Sequence, residues 1–203
     1  VILDIGGMVL AGGGSSRLGA DKTVETVGDK SLLERVVLQL SFLDSEILLV
    51  TAQEMSCPWL EGYPRLKKVT DIYPGNGPLG GIYTGLELSG SFYNLAVAGD
   101  MPFLNRDLLG YMAGLAAGYD LVVPRLNGLL EPLHAVYSRA CLAPIEQMLK
   151  QGILGVNKLF PLVRVRYVEA EEIDRFDPAH LSFFNINTKS DLAWARGLLR
   201  VTA

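Results

Sequence analysis

The sequence predicts an α/β fold: a mostly parallel mixed sheet with helices on both faces and an antiparallel C-terminal portion. Three observations carry this expectation. Short apolar runs that end at Gly, Pro or Asp alternate with stretches of helical spacing through the first part of the chain. A Gly-rich segment follows the first of these runs directly, as at the strand-to-loop junctions where open α/β sheets bind ligands. The last third changes to hairpin signals. At 203 residues, of which 49% are hydrophobic and 20% charged, the chain can fill one core without a second domain. A single domain over 1–203 is therefore expected.

The elements follow in order. Met8 to Ala11, Glu46 to Ala52, Leu66 to Thr70, Leu95 to Ala98 and Leu121 to Pro124 read as short buried strands. Ser31 to Leu43 reads as a helix opened by a Ser31/Glu34 capping box, and Leu104 to Ala117 as a helix with apolar residues three and four apart. Asn127-Gly128 is a hairpin turn leading into Leu130 to Tyr137, and Val163 to Val168 alternates apolar residues with Arg, so antiparallel pairing is expected there. A final strand, Phe183 to Ile186, runs into a helix whose start is marked by Thr188 and Asp191.

Charge narrows the function. The formal charge is -4 and no stretch concentrates Lys and Arg, so neither nucleic acid nor an anionic membrane is an expected partner. Cys57 and Cys141 match no metal or redox spacing and fit a reducing cytoplasm as ordinary thiols. The apolar segment Val1 to Ala11 carries Asp4, lacks a basic flank and is too short to span a bilayer, so it is not expected to be a signal or an anchor.

The strongest chemical signal runs from Leu10 to Lys22, Leu-Ala-Gly-Gly-Gly-Ser-Ser-Arg-Leu-Gly-Ala-Asp-Lys. Successive glycines let backbone N–H groups converge on an anion, and Arg17 and Lys22 add two cations beside that nest. A Walker loop needs its lysine directly after the second glycine, whereas Lys22 arrives later; a dinucleotide fingerprint needs glycine where Arg17 stands. A plain mobile connection is the bland alternative, and the paired cations weigh against it. The second cluster, Asp71 to Ile82, formally contains G-x-G-x-x-G with Asp100 beyond it. Pro78 removes an N–H from the turn that should cradle pyrophosphate, so Gly77-Pro78-Leu79 reads better as a rigid wall of a base pocket. Asp100 closes the strand Leu95 to Gly99 ahead of Met101-Pro102-Phe103, and a carboxylate so placed suits Mg2+, which keeps waters and takes substrate phosphates besides one or two carboxylates. Glu131 and His134, in Glu-Pro-Leu-His-Ala-Val-Tyr, read equally well as polar site residues or as hairpin surface.

Taken together, these segments and the ending Asn185-Ile186-Asn187-Thr188 resemble the molybdenum cofactor guanylyltransferase family, in order, from Met8 to about Leu198. The resemblance implies a three-layer Rossmann-like nucleotidyltransferase fold, with a nucleotide-binding half over about 1–103 and an acceptor-binding half over about 104–203. It implies transfer of GMP from GTP to the terminal phosphate of molybdopterin, with or without molybdenum, giving the guanine dinucleotide form and pyrophosphate. Leu10, Ala11, Gly12, Gly13 and Lys22 would hold the nucleotide from one side, and Thr51, Asp71, Gly77, Pro78, Leu79 and Asp100 from the other. Arg17, Lys22 and Asp100 would be catalytic, Asp100 would hold the Mg2+ cofactor, and Asn185 and Asn187 would meet the acceptor. A cytoplasmic location, with molybdoenzymes or their chaperones as further partners, is also implied. Three positions depart from the family pattern: Gly99 stands where Cys is common, Thr51 where some members have Asn, and Gly155 to Lys158 where Arg is more frequent. A related transferase using CTP or another phosphorylated acceptor, and a non-catalytic GTP-binding module, remain open at this point.

Overall fold

The computed structural model describes residues 4–11, 25–53 and 55–201. Strand β1 (Ile5–Leu10) opens the fold, and a small hairpin of β2 (Thr26–Val27) and β3 (Lys30–Ser31) leads into helix α1 (Leu32–Leu40). There follow β4 (Ile47–Thr51), β5 (Leu66–Thr70), α2 (Gly77–Leu88), β6 (Tyr93–Ala98) and α3 (Arg106–Gly114). The C-terminal part contributes β7 (Leu121–Leu126), β8 (Leu129–Leu130), β9 (His134–Ser138), α4 (Leu142–Lys150), β10 (Val165–Glu169), the single turn α5 (Ala170–Ile173) and α6 (Lys189–Val201).

The main sheet runs in the order β10-β7-β9-β6-β1-β4-β5, with β8 attached to β7. Strands β5, β4, β1 and β6 are mutually parallel, whereas β9 is antiparallel to both β6 and β7. Alternation along β1 supplies both cores. Ile5 and Val9 pack on the α1 and α3 side with Val36, Leu40 and Leu108, and Met8 packs on the other side with Leu79, Ile82 and Leu86 of α2 and Ile145 of α4. Two helical layers thus enclose the sheet. The chain leaves β1 toward β4 and β5, then returns across to β6 on β1's other side. This reversal opens a crevice at the carboxyl ends of β1 and β6, where such sheets take ligands.

Several expectations need correction. The segment Phe183 to Ile186 is not a strand: a 3-10 turn covers Leu181–Phe183, and the chain then runs extended without joining the sheet, tied instead by Ile186 N–H donating to Asp100 O at 2.9 Å. Strand β10 is parallel to β7, so the antiparallel character lies in β8 and β9 alone. The Ser31 cap forms, its hydroxyl accepting from Glu34 N–H at 3.1 Å, but the Glu34 carboxylate turns to Lys30 and Tyr63 instead of closing the box. The Gly77 to Leu79 wall is the first turn of α2, a helix that the glycines of Gly-Pro-Leu-Gly-Gly had disguised.

Candidate active site

Four strand ends build the crevice. Ala11 N–H donates to Val50 O at 2.9 Å and Gly99 N–H to Leu10 O at 3.0 Å, so the root of the Gly-rich loop is clamped between β4 and the end of β6. Gly99 permits this approach: a Cβ there would lie 3.0 Å from Leu33 Cδ1 and 3.3 Å from Leu10 O. Asp100 therefore emerges beside the first residue of the loop, with its Oδ1 shut off from solvent. Gly12, Gly13, Arg17 and Lys22 lie outside the described residues.

Beside this junction, Leu10, Thr51, Asp71, Gly77, Pro78 and Gly81 are among the residues lining a small recess open to solvent. Five of the residues expected to hold the nucleotide, Leu10, Thr51, Asp71, Gly77 and Pro78, thus meet at one recess, from β1, β4, the end of β5 and the start of α2, while Ala11, Leu79 and Asp100 do not line it. Two members differ in detail. Thr51 is buried and its hydroxyl donates to Val69 O at 3.4 Å, and the Leu79 side chain lies wholly in the core, so only its backbone faces the first turn of α2. No side chain caps that turn, and its backbone N–H groups bring the positive end of the helix to the recess.

Asp71 is held by a residue that sequence reasoning missed. Its Oδ1 accepts from Tyr73 N–H at 3.0 Å and from the Thr84 hydroxyl at 2.6 Å, while the Thr84 oxygen accepts from Ile72 N–H at 2.9 Å. Thr84 is fully buried on α2, and nothing in the sequence set it apart from its neighbours. With Oδ1 occupied, Oδ2 is the oxygen left to meet a ligand.

On the other side of Asp100, β9 pairs with β6 so that His134 lies opposite Val97, and Ala98 N–H donates to Leu133 O at 3.1 Å. The turn Glu131 to Leu133 therefore sits at the same edge of the sheet as Asp100. His134 is fully buried, its ring 4.7 Å from that of Phe183. Burial pushes its imidazole down to about 4, against the smaller opposing pull of the Ser182 backbone and the Asp177 carboxylate. Glu131 is half-buried, and desolvation raises its carboxyl above the usual range. Asn185 lies partly buried with Nδ2 donating to Phe183 O at 3.1 Å, and Asn187 is exposed just before α6. Asp191 accepts from Asn187 and Thr188 N–H at 3.0 and 2.8 Å, a cap that fixes this segment and lowers the carboxyl of Asp191.

A recess lined from β1, β4, the end of β5 and the start of α2, with a carboxylate at the end of the neighbouring β6, is the arrangement of an α/β protein that binds its ligand at the carboxyl ends of its strands. Comparison with known proteins specifies the kind: residues 7–165 match the MobA-like NTP transferase domain, and the chain belongs to that family. A probable molybdenum cofactor guanylyltransferase of Pelotomaculum thermopropionicum is 38% identical over 96% of this chain and 93% of its own length. The crystal structure of molybdopterin-guanine dinucleotide biosynthesis protein A from Archaeoglobus fulgidus superposes with a TM-score of 0.83 at 29% identity, covering 97% of this chain and 99% of that one. A cytidylyltransferase structure from Thermus thermophilus, at 17% identity and a TM-score of 0.71 over 95% and 98% of the two chains, shares the fold.

Proposed function

We propose that this protein transfers GMP from GTP to the terminal phosphate of molybdopterin, releasing pyrophosphate, and that it does so in the cytoplasm. The observation that carries this reading is the convergence of Leu10, Thr51, Asp71, Gly77 and Pro78 on one recess next to Asp100, in a chain of this family. Guanine presents N1–H and a 2-amino group on one edge, and the Asp71 Oδ2, with its partner oxygen already engaged, is an acceptor suited to that edge.

In the reaction, an acceptor phosphate oxygen forms a bond to the α-phosphorus as the bond to pyrophosphate breaks, and no protein nucleophile is needed. Both reactants are anions, so rate comes from alignment and charge stabilisation. Each unit-charge pair at roughly 4 Å and an effective dielectric near 20 is worth about 4 kcal/mol, which lets Arg17 and Lys22 offset much of the repulsion. Asp100 fits Mg2+: it is a hard oxygen donor at a strand end, and one carboxylate suffices for an ion that keeps waters and takes substrate phosphates. When bound, Mg2+ would supply charge neutralisation at the phosphates. Asn185 and Asn187 then meet the acceptor.

Pyrophosphate release from each of the four nucleoside triphosphates, with and without molybdopterin, tests this. GTP with molybdopterin should be far the best pair. Equal release from CTP, or GTP binding with no release under any condition, would replace it with one of the alternatives.

A further inference from the structure

We infer that Glu131 is the acceptor-recognition carboxylate, taking paired N–H donors from a 2-amino-4-oxopyrimidine ring such as that of a pterin; the inference rests on the reading of the acceptor given above. Glu131 lies at the right place. His134 N–H donates to Glu131 O at 3.1 Å, and Ala98 N–H to Leu133 O at 3.1 Å, which fastens this turn to the strand that ends at Asp100. The His134 ring rests on Phe183, whose carbonyl holds the Asn185 amide, so the same turn adjoins the segment carrying both asparagines. The nucleotide recess lies on the opposite side of Asp100, among β1, β4 and α2. Glu131 is thus on the acceptor side.

Its chemistry is unusual among the partly or fully buried carboxylates. Asp71 has the Thr84 hydroxyl and Tyr73 N–H, Asp120 has Arg164, Glu172 has Tyr111 and Arg166, and Asp177 has two backbone N–H groups. The Glu131 carboxylate has no hydrogen bond or ion pair among the described residues, and only desolvation acts on it. A half-buried carboxylate without donors carries a desolvation cost that a ligand bringing its own donors would relieve. The ligand must then present two adjacent N–H groups to a planar acceptor pair. A 2-amino-4-oxopyrimidine does this with its ring N–H and amino group, in the donor pattern that guanine offers to Asp71. One carboxylate on each side of Asp100 would then read the same heterocyclic edge in donor and in acceptor.

The test compares wild type, Glu131→Gln and Glu131→Ala. With molybdopterin as variable substrate, KM should rise at least tenfold in Glu131→Ala, while KM for GTP stays within twofold. Because no hydrogen bond or ion pair among the described residues is lost, Tm should be nearly unchanged in Glu131→Gln. A second readout does not depend on turnover: binding of 6-hydroxymethylpterin phosphate and of its analogue lacking the 2-amino group, followed by pterin fluorescence. Wild type should prefer the amino compound at least tenfold, and Glu131→Ala should lose the preference. An unchanged KM for molybdopterin, or equal binding of the two pteridines by wild type, would overturn the assignment. If wild type fails to turn over molybdopterin, the proposed reaction is wrong, and the pteridine pair still decides the role of Glu131.

Discussion

Thr84 touches no solvent, yet its hydroxyl determines how Asp71 is presented. Thr84→Val removes the donor to Asp71 and leaves Ile72 N–H without its acceptor, so KM for GTP should rise about tenfold, the equivalent of ~1.4 kcal/mol, with a smaller effect on kcat. Thr84→Ser keeps the hydroxyl and should restore most of the affinity, which steady-state kinetics on both variants will show. His134 sets an acid limit on stability. Its folded pKa of about 4 lies below the ordinary 6.5, so the fold holds the neutral ring and the unfolded chain binds the extra proton between those values. Stability is complete above roughly pH 6.5 and falls as the pH drops toward 4, by at most about 3 kcal/mol from this group. Urea midpoints at pH 7 and pH 4.5 should differ less in His134→Leu than in wild type; an equal difference in both proteins would remove His134 from the acid response.

Among the elements, α2 matters most to the recess, and it reaches the Asp71 turn because position 80 has no side chain. A Cβ at Gly80 would lie 2.7 Å from Tyr73 O and 3.3 Å from Asp71 Oδ2. Gly80→Ala should therefore displace the helix start, costing about 1–3 kcal/mol in denaturant unfolding and weakening GTP binding as well. The same glycines explain why α2 could not be read from sequence: their poor helix propensity outweighed the local pattern, whereas burial against Met8 and Val50 is what holds the helix. The strands within Glu46 to Ala52 and Leu95 to Ala98 were legible because a short continuous apolar run has few other uses, whereas Leu66 to Thr70, Leu-Lys-Lys-Val-Thr, forms the edge strand β5 and is mostly exposed, not buried. Phe183 to Ile186 misled for the converse reason. Phe184 and Ile186 pack on α6 and the β2-β3 hairpin while Phe183 lies against His134, and alternation alone does not say which surface an extended segment will cover.

At the scale of the whole molecule, the reversal of direction at β1 brings Leu10, Asp71 and Asp100, far apart in sequence, to one edge of one sheet. Motif spacing marked those residues, but only topology shows that Glu131 and His134 share their edge, because the antiparallel insertion of β9 between β6 and β7 leaves no local trace. Asp100→Asn should lose at least about a hundredfold in kcat while the protein still folds, as circular dichroism will show. The most direct measurement follows radiolabel from GTP, carried at the α- or the γ-phosphate, in the presence of molybdopterin and Mg2+. GMP transfer predicts α-label in a molybdopterin guanine dinucleotide and γ-label in pyrophosphate, with both lost in Asp100→Asn. Label from the γ-phosphate in the acceptor or in orthophosphate, with none from the α-phosphate in a dinucleotide, would contradict it.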